Sequence, residues 1–159
     1  MTILHYAATA PVNPSGAAPV LTAAQVWEGL RRKIRHADQF VPLITSCVVE
    51  KEESNVVHRR VAFEGSKEMT EVCTELAPHK VEFRLEDGTE IENILAPGPS
   101  GGPSDLYLTY SFKWKFPKIE QGSQEEQDMR TQQQTMALGA VQSTIKVIRE
   151  MVSDGRLKA

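Results

Sequence analysis

SQEEQDMRTQQQTMALGAVQSTIKVIREMVSDG, residues 123–155, is the stretch whose reading decides the fold. Ser123 and Glu126 form a capping-box pattern and Gly155 supplies a stop, so the spacing predicts one unbroken helix to about Asp154. At 1.5 Å per residue such a helix is on the order of 45 Å long, enough to cross a whole sheet. Met129, Met136, Ala137, Ala140, Val141, Ile145, Ile148, Met151 and Val152 recur on one stripe, and that face is expected to bury against something large.

The partner surface lies immediately upstream. From Ile44 to Phe116 the apolar period is two, with turn signals at Ser54-Asn55, Gly65-Ser66-Lys67, Ala77-Pro78-His79 and Asp87-Gly88, the last read as a two-residue hairpin. The longest strand is LYLTYSFKWKF, residues 106–116, ended by Pro117. Six consecutive hairpin-linked strands imply an antiparallel meander. Residues 2–10 make a further strand, the Pro11–Pro19 segment breaks it, and Thr22 with Gln25 caps a short helix carrying Val26, Trp27, Leu30 and Ile34. DQFVPL, residues 38–43, reads as a turn or a single helical turn stopped by Pro42.

The order is strand, helix, six strands, helix. A twisted seven-stranded sheet has one apolar face, and only the two helices can cover it. The expected fold is therefore α+β of the helix-grip type: a seven-stranded curved antiparallel sheet wrapped around a long C-terminal helix, as one ligand-cavity domain over residues 1–159. The middle of such a concavity is hard to fill with side chains, and a pocket is expected between the sheet and the Met136 to Ile148 stretch.

Composition narrows the function classes. The chain has 159 residues, 40% hydrophobic and 25% charged, with a net charge of -3 and a pI near 5.8. That balance lacks the basic footprint that recruits nucleic acid or anionic lipid. No stretch approaches the ~20 apolar residues of a membrane span. MTILHYAATA has no basic n-region, and Cys47 and Cys73 lack C-x-x-C spacing, so a cytoplasmic chain with reduced thiols is expected.

The segments PVNPSG, LTAAQVWEGLRRKIR, FVPLITSCVV, RRVAF, LYLTYSF and TIKVIRE, with the Gly/Pro loop before the last strand, resemble the START-like or SRPBCC superfamily. That superfamily includes the birch pollen allergens and aromatic polyketide cyclases, and the resemblance is closest to an uncharacterised branch common in fungi. It implies a cavity for lipids, polyketides, hormones or aromatic intermediates, usually with neither metal nor bound cofactor. A small hydrophobic or aromatic ligand is the expected partner, and a homodimer stays open.

Within that frame, alternation turns Val57, Arg59, Val61 and Phe63 to one face of a strand. An inward guanidinium needs a partner because it cannot shed its proton. Glu71 or a ligand carboxylate or enolate could serve, and a structural pair is the bland alternative. Asn93, between Ile91 and Leu95, either orients a ligand carbonyl or ties down a bulge. Tyr110 and Trp114 share the core face of the last strand and carry polar tips that can bind or protonate a ligand, although such a stripe is more often packing. Phe83 joins them as a wall residue. Gln133, Met136, Ala140 and Thr144 are the helix's candidates, and Thr144 can instead bond back to its own helix.

Three functions fit these residues. The first is a cofactor-independent cyclase, isomerase or dehydratase of secondary metabolism, with Arg59 as electrostatic stabiliser and Tyr110 as proton donor. The second is a carrier that binds the same ligands unchanged. The third is a protein-interaction module using the basic face Arg31, Arg32, Lys33 and Arg35, which by default is merely solvated. His5, His36, His58 and His79 show no metal-ligand spacing. The PGPSGGPS loop, residues 97–104, is expected to be either a mobile rim over the cavity or a plain connector.

Overall fold

The computed structural model describes residues 1–158. The chain forms β1 (Thr2–Pro11), α1 (Ala23–Arg35), a single 3-10 turn (Ala37–Gln39), β2 (Ile44–Glu53), β3 (Val56–Phe63), β4 (Glu68–Leu76), β5 (Lys80–Leu85), β6 (Glu90–Pro97), β7 (Leu106–Phe116) and α2 (Gln124–Ser153). The seven strands make one sheet in the order β1-β7-β6-β5-β4-β3-β2, antiparallel throughout. The meander from β2 to β7 and the addition of β1 beside β7 are those of the helix-grip fold.

Both helices start at the residues that the sequence marks. The Thr22 side chain accepts from the Gln25 amide, and the Gln25 side chain accepts in return from the Thr22 amide. At α2 only half of the box forms: Ser123 Oγ accepts from the Glu126 amide, but the Glu126 carboxylate takes the Gly122 amide instead. The other end of α2 closes through Gly155 at φ +80°. Left-handed backbone there lets the Leu157 amide reach the Met151 carbonyl at 3.0 Å, and Leu157 rejoins the core.

Along α2 the expected stripe buries unevenly. Ala137, Val141, Thr144, Ile145, Ile148 and Met151 are buried, whereas no residue before Ala137 is. The buried half packs chiefly on β1 and β7 and crosses α1 closely. At that crossing a Cβ on Gly29 would lie 2.5 Å from two side-chain carbons of Ile148, so only glycine permits the approach. α2 thus covers the β1/β7 side of the sheet, whereas α1 meets the sheet at β6 and β2. Over β3 to β5 the cover is thinner, and an opening remains.

Two turns differ from expectation. Arg84 pairs with Glu90 and the Leu85 amide donates to the Thr89 carbonyl, which leaves a three-residue turn, Glu86 to Gly88, in place of a two-residue one. Gly88 at φ +86° supplies the left-handed residue that such a turn requires. The loop after β6 is also no loose strap. Asp105 Oδ2 accepts from the amide and hydroxyl of Ser100, Gly98 donates to the Asp105 carbonyl, and Asn13 Nδ2 donates to the Ser104 carbonyl. It sits at the far end of β6 from the Asp87 turn, a distance of roughly 25 Å at strand rise. No helix among the described residues is long and apolar enough to cross a membrane.

Candidate functional site

Beneath the thinner cover lies a cavity of about 310 Å³. Strands supply Arg59 and Phe63 from β3, Met69 and Glu71 from β4, Phe83 and Leu85 from β5, Ile91 from β6, and Tyr110, Phe112 and Trp114 from β7. Ile44 at the start of β2 adds to the strand wall, and Lys33, Val41, Met136 and Ala140 close it from the other side. Asp87 and Met136 are exposed lining residues and mark the mouth. Phe112 and Trp114 stack with ring centroids 4.7 Å apart, giving one flat aromatic wall.

Two cations, Arg59 buried and Lys33 half-buried, interrupt these apolar walls. Arg59 stands directly opposite Glu71 across β3 and β4. Its Nε donates to Glu71 Oε2 at 2.9 Å and its Nη2 to the same oxygen. Nη1 donates to the carbonyls of Lys33 at 3.0 Å and Ile34 at 2.6 Å. Four of the five N–H donors of a guanidinium are therefore committed inside the protein. Burial works against the charge, yet the Glu71 carboxylate outweighs it and holds the guanidinium above its ordinary pKa.

Lys33 is the other cation. Its Nζ donates to Asn93 Oδ1 at 3.0 Å and to the Tyr110 hydroxyl at 2.9 Å. The Tyr110 hydroxyl donates onward to Thr144 Oγ1 at 2.7 Å. Nζ also lies 4.4 Å from the Tyr110 ring centroid and 5.3 Å from that of Phe83. Among the described residues no carboxylate forms an ion pair with it. Burial foremost, with the Arg59 charge adding to it and Glu71 and Cys73 opposing, lowers its pKa to about 7. Burial also pushes the Tyr110 phenol well above its usual range, and it pushes the Cys73 thiol up to about 12 despite the nearby Arg59.

The structure brings together most of the residues singled out from sequence. Arg59, Phe63, Phe83, Tyr110, Trp114, Met136 and Ala140 line the cavity. Asn93 and Thr144 stand one step behind it, fully buried, as the partners of Lys33 and Tyr110; Thr144 thus turns away from its own helix. Asn93 Nδ2 is a buried donor without a partner. Gln133 lies outside the cavity lining, on the part of α2 that precedes its buried half.

Lys33 departs from the solvated basic face that the sequence suggests: it lines the cavity. Arg31 and Arg35 do face outward, but they pair with Glu28, Glu52 and Glu75. Arg32 donates to Gln39 and to the Arg156 carbonyl, so the face is an engaged network in place of a free basic patch. A signal for Lys33 did exist: it stands seven residues after Val26, four after Gly29 and three after Leu30, all buried. Three neighbouring arginines disguised it as part of a charge run. The 97–104 loop contributes nothing to the cavity lining.

Residues 6–155 match the family described as "Acetylaranotin biosynthesis cluster protein L" (AtaL), and the chain belongs to that family. The protein of that description from Aspergillus terreus is 25% identical over 156 residues, spanning 97% of this chain and 93% of the relative. Among solved structures, the di-domain aromatase/cyclase StfQ from the steffimycin biosynthetic pathway superposes with a TM-score of 0.70 at 9% identity over 97% of this chain. The chain spans about half the length of StfQ, 52%. The Zhui aromatase/cyclase from a Streptomyces species gives a TM-score of 0.64 at 16% identity and covers 95% of this chain and 96% of that one. At those identities the likeness is one of fold.

Proposed function

With membership of the AtaL family as the premise, we propose that this protein binds a small, largely apolar polyketide-like or aromatic carbonyl compound and catalyses its cofactor-independent cyclisation, isomerisation or dehydration. The observation that carries this reading is an apolar cavity whose wall bears Lys33 and Tyr110, with Asn93 behind them, beside the fixed charge of Arg59. Apolar walls with a few convergent polar groups are the usual form of a small-molecule site. The family's secondary-metabolism member and the aromatase/cyclase neighbours support the substrate class.

Each of the three reactions begins by moving a proton beside a carbonyl, and each passes through an enol or enolate. A group that titrates near neutrality can take and return that proton, and Lys33 is such a group. The Tyr110 phenol stays neutral and steadies Lys33 by accepting its N–H. Arg59, with one N–H left beyond its protein partners, supplies positive charge against a developing oxyanion. On this reading the chain works in the cytoplasm as one ligand-cavity domain, with Cys47 and Cys73 reduced.

The test is a thermal-shift screen with polyketide-like phenols and ketones, flavonoids and fatty acids. Binding raises the melting temperature by an amount that grows with ligand concentration. Ala140→Trp, which fills the cavity from α2, should abolish the shift. If no compound shifts the melting curve, or if Ala140→Trp leaves the shift intact, the cavity reading fails. Recovery of every bound compound unchanged would make the protein a carrier.

A further inference from the structure

We propose that Lys33 is a nucleophile that captures the carbonyl of the bound compound as a covalent iminium, so that the cavity selects ketones and aldehydes from among apolar ligands. This rests on the reading that the cavity takes a carbonyl compound, and it goes further by assigning a bond.

The geometry leads there in three steps. First, Lys33 reaches into the cavity from the last turn of α1 and is held from both sides, by Asn93 Oδ1 at 3.0 Å and by the Tyr110 hydroxyl at 2.9 Å. A neutral amine has two N–H bonds, and these two acceptors use both. The remaining tetrahedral direction carries the lone pair, and Lys33 is a lining residue of the cavity. Second, Tyr110 gives its own proton to Thr144 at 2.7 Å, so its oxygen is left to accept from Lys33 and the order of donors is fixed. Third, the charge that acts most strongly on it is a cation's, that of Arg59, whose partner Glu71 is already engaged by two of its N–H groups. A desolvated lysine beside a second cation is an activated amine nucleophile, which agrees with the lowering of Lys33 to about 7.

The balance is simple. The Nζ lone pair forms a bond to the carbonyl carbon while the C=O π pair moves to oxygen, and an amine proton transfers to that oxygen to give a carbinolamine. One proton from solvent then lets the C–O bond break with loss of water, and the nitrogen lone pair forms C=N. An amine, a carbonyl and one proton have become an iminium and one water. The cation so formed stays between the faces of Tyr110 and Phe83, 4.4 and 5.3 Å from Nζ in the free protein, where cation–π attraction favours it. The iminium acidifies the adjacent C–H bonds, which is the activation that cyclisation or dehydration requires. No metal or redox partner takes part.

The test treats the full chain at pH 7 with an apolar aryl aldehyde or aryl methyl ketone plus cyanoborohydride, which reduces an iminium to a stable secondary amine. Intact mass and peptide mapping then locate the adduct. An ordinary exposed lysine is only about 0.04% neutral at pH 7. The exposed Lys51 and Lys67 are therefore internal controls, and Lys33 should be labelled at least about tenfold faster than either. Lys33→Arg keeps the charge and should lose the fast label while its melting temperature stays within a few degrees. Lys33→Met serves if the arginine variant does not fold. A carbonyl probe that raises the melting temperature but labels Lys33 no faster than Lys51 overturns the covalent step and leaves the binding reading standing. A probe that neither binds nor labels overturns both.

Discussion

The two cations on the concave side of the sheet are handled in opposite ways. Arg59 sits in the middle of the β3/β4 wall with its carboxylate directly across the ladder and two helix-end carbonyls as further acceptors. Lys33 hangs from α1 over the same cavity and meets only neutral groups, an amide oxygen and a phenol. The difference follows from chemistry: a guanidinium cannot neutralise itself and so must be paired, whereas a buried amine can release its proton. The paired cation is thereby fitted to hold structure and supply a constant field, and the unpaired one is fitted to react.

Removing the partner of the paired cation should have the largest effect. Glu71→Ala leaves the Arg59 charge buried with no carboxylate, and breaking a buried pair in this way costs about 3 to 5 kcal/mol. Urea or thermal unfolding at pH 7 measures it. A loss under about 1 kcal/mol would mean that water reaches Arg59 freely and that the contrast with Lys33 is one of degree.

Lys33→Met should move stability the other way, with a pH signature. Lys33 titrates at about 7 folded against an ordinary 10.5. Between those values the unfolded chain holds the extra proton, so the wild type gains stability as pH rises through this window and lacks that contribution below about 7. The groups that act on the amine are Arg59 on β3, Glu71 and Cys73 on β4 and Tyr110 on β7. Methionine removes the slope. The variant should therefore be favoured over wild type most at pH 6 to 7 and least near pH 10. The swing should be on the order of 2 kcal/mol, roughly half of what ~1.4 kcal/mol per pKa unit would give. Equal slopes in the two proteins would place Lys33 in contact with bulk water.

Sequence made the paired cation legible and hid the unpaired one. Arg59 could be read because strand alternation is strict: Val57, Val61 and Phe63 share its face, and a charged residue in that series stands out. Glu71 could be named only as one option beside a ligand anion, because alternation within one strand does not fix the register that sets Glu71 opposite Arg59. Helical periodicity is a blunter instrument, and in RRKIR a residue that belongs with Leu30 and Gly29 looks like one more member of a basic run. The loop at 97–104 was read from its glycines and prolines alone, which cannot reveal that Asp105 and Asn13 bind its backbone. The half-buried course of α2 was likewise invisible, because a stripe of apolar residues shows which face turns inward and not where the sheet beneath it ends.

The smallest effect should come from Thr144→Val, and it bears on Lys33 alone. Thr144 Oγ1 is the acceptor for the buried Tyr110 hydroxyl at 2.7 Å. Valine keeps the shape of the side chain and removes that acceptor. The expected loss of stability is about 1 kcal/mol, the ordinary net worth of one hydrogen bond, provided that the phenol finds another partner. Within reach, that partner is the lone pair of a neutral Lys33. The Tyr110 proton would then turn toward Nζ, where it stabilises the free amine and deprives the ammonium of an acceptor. Both changes favour the neutral form, so the pKa of Lys33 should fall further below its ordinary value. The pH at which reductive trapping at Lys33 becomes half-maximal should move to the acid side, while the Arg59–Glu71 pair, which has no contact with Thr144 in the hydrogen-bond network, keeps its contribution. If the trapping profile stays where it is, the Tyr110 proton is not free to turn, and the neutrality of Lys33 comes from burial and Arg59 alone.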